Sequence, residues 1–185
     1  MIKKDGLDSV SLRKLADRAG VSRTAPYHHF KDKADLLAAV AELGFTTLTS
    51  TLKLAANDQN LSLNLRLEKS ILNYIDFAVE NPTQFDLMFG SELWRKNPSM
   101  RLQRTAKDSF REYASLIKAF SDDKQLAIDE DPLRLAQVMW ATLHGLVKLT
   151  HDGVFARQED VEDISRYAIG KLMSMIDPKT CPAIE

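Results

Sequence analysis

Residues Ser11 to Phe30, SLRKLADRAGVSRTAPYHHF, constrain this chain more than any other stretch. Leu12, Leu15, Ala16 and Ala19 recur at i, i+3, i+4 and i+7, which is one apolar stripe of a short helix. Ser11 precedes the stripe as a candidate N-cap, and Gly20 follows it where a left-handed residue closes a helix. Val21 offers the turn an apolar plug, Ser22 is a second candidate cap, and another short helix is expected from Arg23 to Phe30. Two short helices joined by a tight glycine turn, with alanines between them, can cross closely. That geometry is a helix-turn-helix, whose second helix enters a DNA major groove.

Charge supports the reading once it is localised. Six bases stand against two acids between Ser9 and Ala34, a net +4, which leaves −5 for the remainder of a chain whose total is −1. A basic module on an acidic body is drawn to phosphates by one end.

The rest of the chain reads as helix. Asp32 and Asp35 suit the cap and third position of a helix running through LLAAVAELGFTTLTSTLKLAA, with Leu36, Leu37, Val40, Leu43 and Leu48 on its inner side. After a break at Asn57–Asn60, Leu67, Ile71, Tyr74, Ile75 and Ala78 mark a second amphipathic helix over residues 63–80. Asn81-Pro82, Asn97-Pro98 and Asp131-Pro132 each pair a capping residue with a proline, whose missing N–H is harmless at a helix start. The second of these opens a long helix with Phe110, Tyr113, Leu116, Ile117 and Phe120 inward. A last helix is expected over residues 161–175. No strand and no internal repeat is evident, and the fold class is all-α.

Several function classes drop out. No apolar run approaches the roughly 20 residues needed to span a bilayer, and no signal peptide is evident, so a cytoplasmic location is expected. A single cysteine, Cys181, excludes an internal disulfide. His144 and His151 lack an acidic ligand at metal spacing, and there is no activated nucleophile and no glycine-rich phosphate loop. No metal, no cofactor and no catalytic residue is expected. An α-helical enzyme or small-molecule carrier is the alternative from another class, and a dimerisation module without DNA binding is a third reading.

Gly20-Val21-Ser22, Pro26-Tyr27-His28-His29-Phe30, Lys33 and Leu36-Leu37 together resemble the DNA-binding signature of TetR-family transcriptional regulators. Trp140, His144 and Gly145, with the Phe85, Phe89 and Trp94 region before them, resemble the C-terminal domain of that family's Trp-His-Gly subgroup. The resemblance implies a helix-turn-helix DNA-binding domain over residues 1–45 and a helical ligand-binding and dimerisation domain over residues 46–178. It further implies that Arg13, Arg23, Thr24 and Ala25 reach base edges, while Ser11, Tyr27, His28, His29, Lys31 and Lys33 touch phosphates or hold register. The expected function is a repressor that binds a palindromic DNA operator as a homodimer and is released by a small effector. In the family a full helix precedes the helix-turn-helix, whereas only Ile2 to Gly6 resemble its last turn here. The expectation is therefore a truncated first helix and weak or no DNA binding by the chain as written.

Two further sites are expected. Tyr74, Phe85, Met88, Phe89, Trp94, Phe110, Tyr113 and Trp140, with His144, could line an apolar pocket for an apolar or aromatic effector, although the same residues suit plain core packing. The helix carrying Leu135, Met139, Leu143, Leu146 and Val147 is apolar on more than one face and must bury two. The resemblance implies that it pairs with the last helix (Ile164, Tyr167, Ala168, Leu172) in a four-helix bundle between two copies. Gly145 inside this helix costs about 1 kcal/mol relative to alanine, and close approach of another helix is the expected reason for it.

Overall fold

The computed structural model describes residues 10–90, 93–94, 99–122 and 131–154, together with 164, 167, 168, 170, 171 and 174. Among these, six α-helices and one 3₁₀ turn are present and no strand. In chain order they are α1 (Leu12–Ala19), the 3₁₀ turn (Ala25–His28), α2 (Lys33–Ala56), α3 (Leu63–Glu80), α4 (Pro82–Phe89), α5 (Met100–Asp122) and α6 (Pro132–His151). The expected remnant at Ile2–Gly6, the Asn97-Pro98 cap, Leu172 and Cys181 lie outside the described residues.

Helix ends follow local chemistry. The Ser11 hydroxyl accepts the Lys14 N–H at 3.2 Å, Asp32 Oδ1 accepts the Asp35 N–H at 2.9 Å, and Asp131 Oδ1 accepts the Leu133 N–H at 2.9 Å. Each supplies an acceptor for an amide that the helix cannot satisfy itself. At α5 the capping hydroxyl belongs to Ser99, which accepts the Leu102 N–H at 3.1 Å. Gly20 closes α1 at φ 66°, a left-handed conformation that suits a residue without Cβ. The Val21 N–H then reaches the Ala16 carbonyl at 3.1 Å, so backbone bonds hold this turn and Val21 stays 48% exposed instead of plugging it.

The chain forms two compact units. One comprises Met1–Thr46 and Asn81–Lys107, the other Thr47–Glu80 and Asp108–Glu185. The grouping of residues 81–107 with the N-terminal segment differs from a boundary at residue 45, and side-chain contacts explain it. Gln84 Nε2 donates to the Val40 carbonyl at 2.9 Å, Arg101 Nε lies 2.5 Å from Glu42 Oε2, and the Phe45 and Phe89 rings meet edge-on at 5.2 Å. Glu42 is buried beneath that arginine while Leu43, expected inside, is 62% exposed.

In the second unit α3 packs on α6. Leu67, Ile71, Tyr74, Ile75 and Ala78 of α3 are buried, as the periodicity of that helix requires. The end of α2 joins them through a 2.7 Å hydrogen bond between the Thr49 and Ser109 hydroxyls and a 2.9 Å ion pair between Lys53 and Glu112.

Candidate functional site

The first candidate site is the segment after α1. An α-helix from Arg23 to Phe30 is replaced by a 3₁₀ turn over Ala25–His28. Its bonds run mainly i to i−3, from Ala25 N–H to Ser22 (3.0 Å), Tyr27 N–H to Thr24 (3.1 Å) and His29 N–H to Pro26 (3.1 Å), with one i to i−4 bond from Phe30 N–H to Pro26 (2.9 Å) at its end. Pro26 has no N–H to continue an α-helical ladder, and it is buried against the module. That anchor leaves Arg23, Thr24, Tyr27, His28 and His29 exposed, with Ala25 half-buried. The turn packs on α1, where Arg13 and Lys14 are exposed as well.

Arg23 is steered from below: its Nε lies 3.8 Å from Asp17 Oδ1 on α1. Both side chains are largely solvated, so the pair orients the guanidinium without contributing much stability. Ser22 does not cap the turn; its hydroxyl meets that of Thr24 at 3.2 Å. Ser11 is half-buried and is used as the α1 cap, while Lys31 is exposed and Lys33 half-buried at the start of α2. The exposed groups here, a guanidinium, hydroxyls, imidazoles and ammonium groups, are of the kinds that meet phosphates and base edges.

The second candidate site is a small apolar cavity within the second unit, bordered by Leu52, Leu67, Ile71, Phe120 and Leu143 with the hydroxyl residues Ser70, Tyr74 and Tyr113. It has room for about one water molecule. Trp140 sits beside it, edge-on to Tyr74 (5.5 Å), Phe110 (5.6 Å) and Tyr113 (4.9 Å). His144 Nδ1 lies 3.5 Å from the Tyr74 hydroxyl. Burial, followed by the charge of Lys148, holds the His144 imidazole below its ordinary pKa, and burial pushes both tyrosine phenols well up.

Five of the nine expected effector residues thus gather in this unit. The other four belong to the first unit, where Phe85 and Phe89 stack at 4.8 Å and Trp94 Nε1 donates to the Met88 carbonyl at 2.9 Å. Aromatic composition alone could not separate the two groups. The aliphatic lining from Leu52, Leu67 and Ile71 carries no effector signal in the sequence, because apolar helix positions read as core.

On α6, Leu135, Met139, Leu143, Leu146 and Val147 are all buried inside the subunit, so a partner is not what covers them. The outward side of the same helix carries Leu133, Val138, Ala141, Thr142 and Leu149 together with Arg134, Gln137 and Lys148. Among the described residues, a Cβ added to Gly145 would meet nothing within 4 Å, so none of them makes the close approach expected there. Ile164 and Ala168 are half-buried and Tyr167 is 64% exposed.

A helix, a left-handed glycine and an exposed basic turn, joined to an all-helical body, define a DNA-binding regulator of the helix-turn-helix type. Residues 1–40 match the family described as bacterial regulatory proteins, tetR family, and residues 67–172 match the tetracyclin repressor-like C-terminal domain. The second match alone covers more than half of the chain, which belongs to the TetR family of transcriptional regulators. It is 28% identical over 147 residues to the nucleoid occlusion factor SlmA of Edwardsiella ictaluri, across 77% of this chain and 73% of that protein. Among solved structures, a protein with unknown function from Rhodococcus sp. RHA1 superimposes with TM-score 0.77 and 28% identity, over 95% of this chain and 89% of that one. A TetR transcriptional regulator from Legionella pneumophila, 21% identical, shares the fold with TM-score 0.66 over 90% of this chain and 88% of its own. Among the described residues no helix is long and apolar enough to cross a membrane.

Proposed function

We propose that this regulator is a repressor that binds a two-fold symmetric operator as a homodimer and is released by a small, largely apolar effector. The observation that carries the reading is the exposed Arg23–His29 segment anchored by buried Pro26. Arg13 and Arg23 suit guanine, the Thr24 and Ala25 methyl groups suit thymine, and Tyr27, His28, His29, Lys31 and Lys33 suit the backbone. The outward side of α6, rather than its buried leucines, is the face offered to a second copy, with Gly145 letting the two backbones approach. Two reading turns one helical turn apart, about 34–36 Å, then require a palindrome.

The effector enters the second unit near Tyr74, Tyr113 and Trp140. Because the cavity is nearly closed, an occupant larger than water has to move the helices around it, and α2 contributes residues to both units. A coupling of about 1–3 kcal/mol is enough to weaken operator binding. Selection from a random DNA pool with the purified chain tests the proposal. Enrichment of paired half-sites about 10 base pairs apart supports it, and failure to enrich any symmetric sequence overturns it.

The name of the curated relatives raises a second reading, in which DNA binding serves nucleoid occlusion; identity shared across 77% of the chain favours it. Mapping binding sites along the chromosome separates the two. Sites at promoters whose transcripts change on deletion support the repressor, and sites elsewhere without such changes support the role for which the relatives are named.

A further inference from the structure

A residue bordering the cavity carries a feature that core packing does not require. The Tyr113 hydroxyl is buried and has no hydrogen-bond partner among the described residues, on a side chain only 6% exposed. A phenylalanine would fill the same space without stranding a polar atom. The other hydroxyls at the cavity are engaged, Ser70 donating to the Arg66 carbonyl at 2.8 Å and Tyr74 facing His144. Among the described residues, no side chain bordering the cavity carries a charge.

We propose that this cavity selects an uncharged, largely apolar ligand carrying one hydrogen-bonding oxygen, which the Tyr113 hydroxyl engages. The inference rests on the effector reading above. A carboxylate or an ammonium entering here would lose its hydration without meeting a counter-charge. His144 supplies none, because burial and the neighbouring Lys148 keep its imidazole neutral at neutral pH. Lys148 itself is turned to Asp152 at 2.7 Å. The carbonyl or hydroxyl oxygen of a neutral ligand, by contrast, gains the one partner that the apolar walls lack.

Three probes of matched size separate the possibilities: acetophenone, ethylbenzene and benzoate, each titrated against the full chain and Tyr113→Phe with thermal shift and calorimetry. Acetophenone is expected to bind about five- to tenfold more tightly than ethylbenzene, the contribution of one hydrogen bond, and benzoate not at all. In Tyr113→Phe, which removes a stranded hydroxyl and should fold, the two neutral probes should bind equally. Benzoate binding as well as acetophenone, or a preference that survives in Tyr113→Phe, overturns the ligand class while leaving the effector reading in place. If none of the three binds, the effector reading fails and takes the class with it.

Discussion

Gly44 of α2 lies directly against Met88 of α4, so close that a Cβ at position 44 would overlap the methionine sulfur and sit 3.1 Å from Gln84 Cγ. Met88 has no exposed surface into which it could retreat. Gly44→Ala gains about 1 kcal/mol in helix propensity but overpacks the contact at about 1–3 kcal/mol. A net loss of up to about 2 kcal/mol is expected in urea melts, partly recovered by adding Met88→Ala. Strict additivity of the two substitutions would show that they do not press on one another.

Glu42 and Arg101 form a lopsided pair, the carboxylate side chain 11% exposed and the guanidinium side chain 72%. An exposed pair is worth little, but Arg101→Ala leaves a nearly buried carboxylate uncompensated. A loss of about 1–2 kcal/mol is expected. In Glu42→Gln the same arginine substitution should cost clearly less, and a double-mutant cycle measures the difference.

At the reading turn, Arg23→Ala should cost about 1–3 kcal/mol of operator affinity and relax discrimination at one base pair. Lys31→Ala should weaken all sequences alike and lower the salt slope of binding by about one. Fluorescence anisotropy over a salt series, with matched and mismatched operators, distinguishes the two behaviours.

The outward face of α6 makes a contrasting pair of variants informative. Val138 is 48% exposed, so Val138→Glu should leave the helical spectrum of the subunit intact while dissociating the dimer in sedimentation. Gly145→Ala meets none of the described residues and gains helix propensity of about 1 kcal/mol. A weaker dimer in that variant would locate a second backbone beside residue 145, and unchanged assembly would exclude it.

Acid should destabilise the second unit through His144. Its folded pKa lies below the ordinary 6.5, so the unfolded chain binds the proton more readily. Stability is therefore unaffected above that value, falls as pH drops below 6.5 toward the lowered folded value, and levels off beneath it. His144→Gln should flatten that part of a stability–pH curve measured by urea unfolding.

These expectations differ in how far the sequence alone could reach. Ser11, Asp32 and Asp131 were legible as caps because a cap acts on amides two or three residues away. The buried stripe of α3 was legible because burial repeats with the helical period. Glu42 with Arg101, 59 residues apart, and the solitary Tyr113 hydroxyl were not, since each depends on what the fold brings near or withholds. Which side of α6 meets its own subunit was not legible for a related reason: an all-round apolar helix does not reveal it. Pro26 allowed either an α-helical start or a 3₁₀ turn, and the i to i−3 bonds around it decided in favour of the turn.

That turn has only four residues, too few to hold a shape by its own hydrogen bonds. Its geometry is borrowed from α1 beneath it and from the anchored Pro26. If the turn reads DNA as proposed, sequence discrimination becomes a property of the hydrophobic interior as much as of the surface arginines. A cavity opened at Leu12, buried on α1, should then blur the choice of operator well before the protein ceases to fold.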